Sequence, residues 1–397
     1  MKALIGFDEG LALVLKHSLR PKTITLDLMK SAGMMLAGNC KSPSDSPPFD
    51  QSAMDGYAFR YKDYLLGKPL EMINTVRAGD GSSFRWKQGA CVRIFTGAPL
   101  PPGADTVVMQ EKVSVADRMI LVKDAGIKKG ANVRRKASHV WSGKVIAKTG
   151  LRLTAPAIAY LASAGVDAVK VYAPLTVGVI VTGDELTPPG KKLPEGHVYE
   201  CNSYALKTAV SAVMQGTIVK IYKVKDTAEA TRKAIDRALS ENDCVLITGG
   251  VSVGEFDFVL PALKASGVRM IFHKLLQKPG KPVCFGMKGQ KMVFGLPGNP
   301  ASVLSCFYTL VVPAWMKSCG ARPVEYLRLP LKNTQSSKPG LTRFLKAMVT
   351  DNSVAILPDQ ESYKLNSFAV ANALVKLPEA VSEVKSGEWV DVIMLPL

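Results

Sequence analysis

Three apolar runs in the second half of the chain each end in glycine: "LTVGVIVTG" (175–183), "DCVLITGG" (243–250) and "KMVFGLPG" (291–298). Runs this short that stay apolar at successive positions read as strands buried on both faces. Helical patterns lie between and after them. "NSYALKTAVSAVM" (202–214) repeats Tyr204, Leu206, Val210 and Val213 behind Asn202 as N-cap. "TIVKIYKV" is a further strand, and "DTAEATRKAIDRAL" opens with Asp226 and Glu229 in capping-box spacing. "NPASVLSCFYTLVVPAWMK" begins with Asn at the cap and Pro at the first helical position. Strands alternating with helices of this length predict an α/β architecture around a doubly wound, mostly parallel sheet. Ligands of such sheets bind beyond the carboxyl ends of the strands. "TGDEL", "TGGVSVGEFD" and "LPGNP" all fall at that edge, which points to one site.

The flanks read differently. A helical opening over about 7–40 leads through "CKSPSDSPPFDQS" into short β-like runs such as "CVRIFTG" and "DTVVMQEKVSV". "APAIAYLASAG" (155–165) is helical again. Residues 320–397 hold short strands ("FLKAMVT", "VAILP", "WVDVIML") and suggest a small terminal β-barrel.

Composition removes several classes. The 397 residues are 47% hydrophobic and 21% charged, a globular balance with room for several cores. The apolar stretch near "FYTLVVPAWM" is too short to span a bilayer. Asp8 and Glu9 interrupt the N-terminal run, which lacks a signal-peptide cleavage site. Seven cysteines, scattered and without a CxxC pair, read as free thiols in a reducing cytosol, and four histidines show no metal-ligand spacing. A net charge of +18 suggests nucleic acid, but the basic residues are dispersed and aromatics are only 7%. Acidic small-molecule ligands or a solvated basic surface account for the charge instead.

The chemistry sits in three constellations. The Gly249–Gly250 turn and neighbouring Ser252 offer backbone N–H and hydroxyl donors to an anion, although a tight turn and nothing more would read the same way. Acids beside a phosphate need a reason, and a divalent cation supplies one, since Mg²⁺ prefers carboxylate and phosphate oxygens. Asp257, which follows Glu255, and the Asp184–Glu185 pair at the same sheet edge fit that role; Asp226 reads equally as helix cap or polar ligand. Lys274, Lys278 and Lys281 in "HKLLQKPGKP" gather around a Pro-Gly turn between apolar strands, a better anion site than solvated face. Pro297, Gly298 and Asn299 lead into a second helix N-terminus with Ser302 in its first turn. Asp55 in "SAMDGYAF" and Thr96 in "RIFTGAPL" are polar residues fenced by apolar ones, and composition alone makes them turn-formers.

"SAMDGYAF", "RIFTGAPLPPGADTVVMQE", "TGDEL", "TGGVSVGEFDF", "KPGKP" and "FGLPGNPAS", in this order, resemble the motifs of the molybdopterin molybdenumtransferases, the MoeA and gephyrin E-domain family. The resemblance covers nearly the whole chain. It implies a cytoplasmic enzyme that inserts molybdenum from molybdate into adenylylated molybdopterin, with Mg²⁺, releasing AMP. Asp55, Thr96, Glu185, Asp226, Asp257, Lys274 and Lys278 match the family's functional positions, with Glu185 and Asp257 as metal ligands. Lys278, Lys281 and Ser302 match its molybdate neighbourhood. Gly249, Gly250, Ser252, Pro297, Gly298 and Asn299 fall to the phosphates and pterin. The family's subunit has four domains. Laid on this chain they are 1–42 with 140–173, an inserted mainly-β domain at 43–139, the doubly wound domain at 174–320 and a barrel at 321–397. Also implied are a homodimer whose clefts lie between subunits, and molybdopterin adenylyltransferase as partner enzyme.

Two segments depart from the pattern. After "GANVRR" the chain reads "KASHV", with His139 where an acid is expected, and "GLTRFLK" (340–346) replaces a Gly-Arg-x-Glu-Phe-x-Arg pattern. Two other readings stay open. One is a specialised paralogue or scaffold with weakened chemistry, against which the retained acids and lysines argue. The other is molybdopterin adenylylation itself, whose enzyme shares the sheet domain but lacks the flanking ones.

Overall fold

The three glycine-ended runs become neighbours in one six-stranded sheet. The computed structural model describes all residues except 1, 3, 81–84, 214–215, 252–257, 324 and 397. The sheet comprises β1 (Thr176–Thr182), β2 (Ile218–Val224), β3 (Cys244–Thr248), β4 (Arg269–His273), β5 (Cys284–Lys288) and β6 (Lys291–Leu296), in the order β2-β1-β3-β6-β5-β4. β2, β1, β3 and β6 run parallel. β5 is antiparallel to both its neighbours because a two-residue turn, with Gly289 at φ 59°, folds it directly onto β6.

Alternate residues of the strands feed two cores. Val177, Val179, Val181, Leu246 and Phe294 pack on one face with Leu206 and Val210 of α1 (Asn202–Val213) and Val303 of α4 (Pro300–Cys306). Ile180, Val245, Ile247 and Val293 pack on the other with Ile235 and Leu239 of α2 (Ala228–Glu241) and Val259 and Leu263 of α3 (Val259–Ala265). Both faces are covered, which is why these strands are apolar throughout instead of alternating. From β1 the chain crosses to β2 on one side, while β3 lies on the other. The strand order therefore reverses between β1 and β3, and a crevice opens outside their carboxyl ends.

The terminal barrel is borne out. Strands Thr342–Thr350, Ala373–Leu377, Trp389–Met394 and Leu327–Pro330 pair in sequence, Ser353–Ile356 pairs back onto the first, and a Leu331–Val354 bridge closes the ring. Ala347, Val375 and Val392 are fully buried inside it. Strand Leu275–Lys278, which follows β4 directly, pairs with this sheet through Gln277 and Lys278, opposite Thr342 and Arg343. The lysine turn is thereby tied to the barrel.

Two local expectations are corrected. The opening helix covers only Phe7–Lys16, and Thr23–Asp27 is a strand paired with Ala168–Tyr172. Pro21 and the β-branched "TIT", downstream of the His17 C-cap, keep the helix from resuming and favour the strand. α2 is capped by Thr227, whose hydroxyl accepts from the Ala230 N–H, not by Asp226. Among the described residues no helix is long and apolar enough to cross a membrane. All seven cysteines are free, five of them buried.

Candidate active site

A cleft of about 570 Å³ opens at the crevice between the ends of β1 and β3. Its walls include Thr182, Gly183, Glu185, Asp226, Thr248 and the Gly249–Gly250 turn. The turn needs glycine for two reasons. Gly249 and Gly250 have φ of 84° and 61°, and Cβ atoms there would lie 3.0 Å from Thr182 Oγ1 and 2.8 Å from Val259 Cγ2. The Gly249 N–H is already spent on the Leu296 carbonyl at 3.3 Å. Ser252, Glu255 and Asp257 lie outside the described residues.

Asp184 and Asp226 hold the ends of β1 and β2 together. The Asp184 N–H donates to Asp226 Oδ2 at 3.3 Å, and the Asp226 N–H donates to Asp184 Oδ1 at 3.4 Å. This clasp keeps Asp226 in the cleft wall while Thr227 does the capping. Glu185 is exposed beside it, and its carboxylate folds over Gly183, where a Cβ would come within 2.7 Å of Oε2.

The start of α4 forms the facing wall. Asn299 is the N-cap and Pro300 the first helical residue, but the Asn299 side chain does not cap. Its Nδ2 donates instead to Ser362 Oγ at 2.8 Å, and the Ala301 N–H donates to the Ser362 carbonyl at 3.1 Å. Asn202 Nδ2 donates to the Gly298 carbonyl at 2.8 Å and fixes the turn after Pro297. Ser302 is only 3% exposed, so its side chain faces the packing beneath the helix and not the cleft.

The three lysines have different surroundings. Lys278 lines a separate cavity of about 280 Å³ together with Arg343, Asp359 and Glu361. Lys281 is exposed, and Lys274, at φ 74°, is half-buried. Gln277 organises their turn: it is 1% exposed, and its Nε2 faces the Pro279 carbonyl at 3.1 Å and that of Gly280 at 3.3 Å. Gly280 packs so closely on α4 that a Cβ would sit 2.3 Å from Cys306 Sγ.

Asp55 and Thr96 meet in the six-stranded sheet formed by residues 56–122, not in the cleft wall. Gly56 pairs with Ile94, which sets the two turns side by side. Asp55 Oδ1 accepts from the Thr96 N–H and hydroxyl, each at 2.7 Å. Those bonds, the N–H first, hold the Asp55 carboxyl below the usual carboxylate range. Gly56 is obligatory, since a Cβ would fall 1.8 Å from the Val108 carbonyl oxygen. His139 is exposed and lies against the Tyr160 ring, 5.3 Å between centroids.

Sequence reasoning passed over Thr248, Tyr363 and the polar role of Asn202. Thr248 is 1% exposed, and neither its Oγ1 nor Asn202 Oδ1 finds a partner among the described residues. The signal for Thr248 was a hydroxyl closing an otherwise apolar strand, directly before two glycines.

Three family descriptions match the chain in order. They are "MoeA N-terminal region (domain I and II)" over 5–165, "Probable molybdopterin binding domain" over 178–317 and "MoeA C-terminal region (domain IV)" over 328–395. A molybdopterin molybdenumtransferase of Haemophilus influenzae is 33% identical, over 98% of both chains. One of a Nostoc species is 32% identical, over 97% of this chain and 92% of that one. A molybdopterin biosynthesis MoeA protein from Pyrococcus horikoshii superposes with a TM-score of 0.86 at 28% identity, covering 98% of this chain and 100% of the other. With all three regions in register and relatives aligned from end to end, the chain belongs to the molybdopterin molybdenumtransferases, transferases of molybdenum cofactor biosynthesis.

Proposed function

We propose that the chain inserts molybdenum from molybdate into adenylylated molybdopterin, with Mg²⁺-dependent release of AMP. One observation carries this reading. The crevice at the strand-order reversal brings three carboxylates (Glu185, Glu200 and Asp226), a glycine turn and two unpartnered polar atoms into one cleft. A buried polar atom without a partner costs about 1–3 kcal/mol, which a bound ligand would relieve.

The donor chemistry fits Mg²⁺. Glu185 and Asp226 offer hard oxygens, and burial raises the Cys201 thiol in the same wall, so no thiolate competes. Among the described residues no three His, Cys, Asp or Glu cluster, so substrate phosphates, with Asp257, would complete the shell. When bound, the ion would polarise the pyrophosphate and offset its charge. The chain's own groups do the rest. The Gly250 turn and Thr248 hydroxyl orient the phosphates, Asn202 keeps the Gly298 turn in place, and Tyr363 and Tyr199 offer rings to a planar heterocycle. Lys278, from its own cavity with Arg343, and the exposed Lys281 would supply positive charge to molybdate. The seven free thiols favour a cytoplasmic, reducing setting, with molybdopterin adenylyltransferase as supplier.

Incubation of the purified protein with adenylylated molybdopterin, Mg²⁺ and molybdate tests the proposal directly. AMP and assembled cofactor should appear together, and the absence of both sinks it. Thr248→Val keeps the shape of the side chain and removes an unpartnered hydroxyl, so thermal stability should hold or rise. Affinity for adenylylated molybdopterin should nevertheless fall roughly ten-fold by calorimetry. An unchanged affinity would remove Thr248 from the site. Lys281→Met deletes one exposed charge and should raise the molybdate concentration for half-maximal cofactor formation about ten-fold, with pterin binding little altered. A collapse of pterin affinity instead would assign the turn to the pterin.

A further inference from the structure

The segment "GLTRFLK" ends in Lys346, a lysine only 3% exposed. Its Nζ donates to the carbonyl oxygens of Asp359, of Lys364 at 3.0 Å and of Glu361 at 3.4 Å. An ammonium has three donors, so all are spent on one loop's backbone. Gln360 sews the same loop to the same strand. Its Oε1 accepts from the Lys346 N–H at 2.9 Å, and its Nε2 donates to the Lys346 carbonyl at 2.9 Å and to that of Leu357 at 2.8 Å. Burial pulls the Lys346 ammonium below the usual lysine range, while Asp359 and Glu361 oppose that pull and Lys364 adds to it.

The far side of this loop touches the cleft. The Ser362 carbonyl accepts from the Ala301 N–H, Ser362 Oγ accepts from Asn299, and Tyr363 is in the cleft wall. Ala301 lies in the first turn of α4, where backbone N–H groups have no partner within the helix. Its amide is therefore satisfied by the loop alone.

We propose that Lys346 is a positioning residue: by gathering the 359–364 carbonyls it fixes Ser362 on the start of α4 and Tyr363 in the cleft wall, coupling the barrel to substrate binding. The binding half rests on the cleft being the pterin site; the coupling half does not. The segment that departs from the family pattern thus performs a mechanical task through the backbone.

The test uses Lys346→Met in the full-length protein, which keeps the apolar stem and removes the donors. Amide exchange at Ala301 should quicken about ten-fold or more, while Val392 in the barrel core keeps its protection. KM for adenylylated molybdopterin should rise roughly ten-fold with kcat at saturating substrate within about two-fold. Should that variant not fold, Gln360→Ala breaks the companion stitch and should give the same pattern more weakly. Unchanged exchange at Ala301, an equal rise at Val392, or a fall in kcat with KM unmoved would each overturn the proposal. A wild-type chain that binds no adenylylated molybdopterin removes the proposed function, and the exchange result then decides the coupling alone.

Discussion

Glu185→Gln is expected to lower AMP release by about a hundred- to a thousand-fold, the range seen when one electrostatic contact to a reacting group is removed. Melting temperature should stay within about two degrees, because exposed substitutions away from structural contacts stay within about 0.5 kcal/mol. The argument rests on where the side chain is. Glu185 is exposed at the end of β1, its carboxylate folded over a glycine that leaves it room, and it bonds no other described side chain. Its charge therefore does little for the fold and is available to the cleft. Asp226→Asn is a different experiment, since Asp226 Oδ2 also accepts the Asp184 N–H. Activity in Glu185→Gln close to wild type, at equal Mg²⁺, would take Glu185 out of the chemistry.

The sheet was legible because its signals are local. Continuous apolar runs, helical spacing and glycine at the strand ends each need only a few adjacent residues. The position of the cleft followed, since strand order and the crevice are linked by topology. What the sequence concealed depends on tertiary neighbours. Asp226 and Thr227 are both good caps, and only the clasp with Asp184 decides between them. The opening to about residue 40 read as helical, but Thr23–Asp27 is a strand paired with Ala168–Tyr172, more than a hundred residues away. The lysines of "HKLLQKPGKP" are close in sequence, yet the Leu275–Lys278 strand leaves the central sheet for the barrel and carries Lys278 to another cavity. Lys346 was the most opaque: nothing in "GLTRFLK" announces that its ammonium will gather carbonyls thirteen to eighteen residues downstream.

A mixture of two inactive variants should recover activity. Asp55 and Thr96 are bonded to each other in the six-stranded sheet, and neither is in the wall of the cleft that holds Glu185. If both sets serve one reaction across subunits, the proposed homodimer brings Asp55 of one subunit to the cleft of the other. Asp55→Ala and Glu185→Gln should each be nearly silent alone. Asp55→Ala also frees the Thr96 N–H and hydroxyl, so a folded state for that variant should be checked by melting. After mixing and subunit exchange, half of the dimers pair one variant with the other. In each of these, one cleft receives both defects and its twin receives neither. Recovery should therefore approach about a quarter of wild-type activity, as expected for a two-fold dimer with independent shared sites. Linking the two variants in one tandem chain should bring recovery to about half, because every dimer then has one intact cleft. No recovery, with exchange verified by mass, would mean that Asp55 and Glu185 act within a single subunit, or that Asp55 serves only the turn it shares with Thr96.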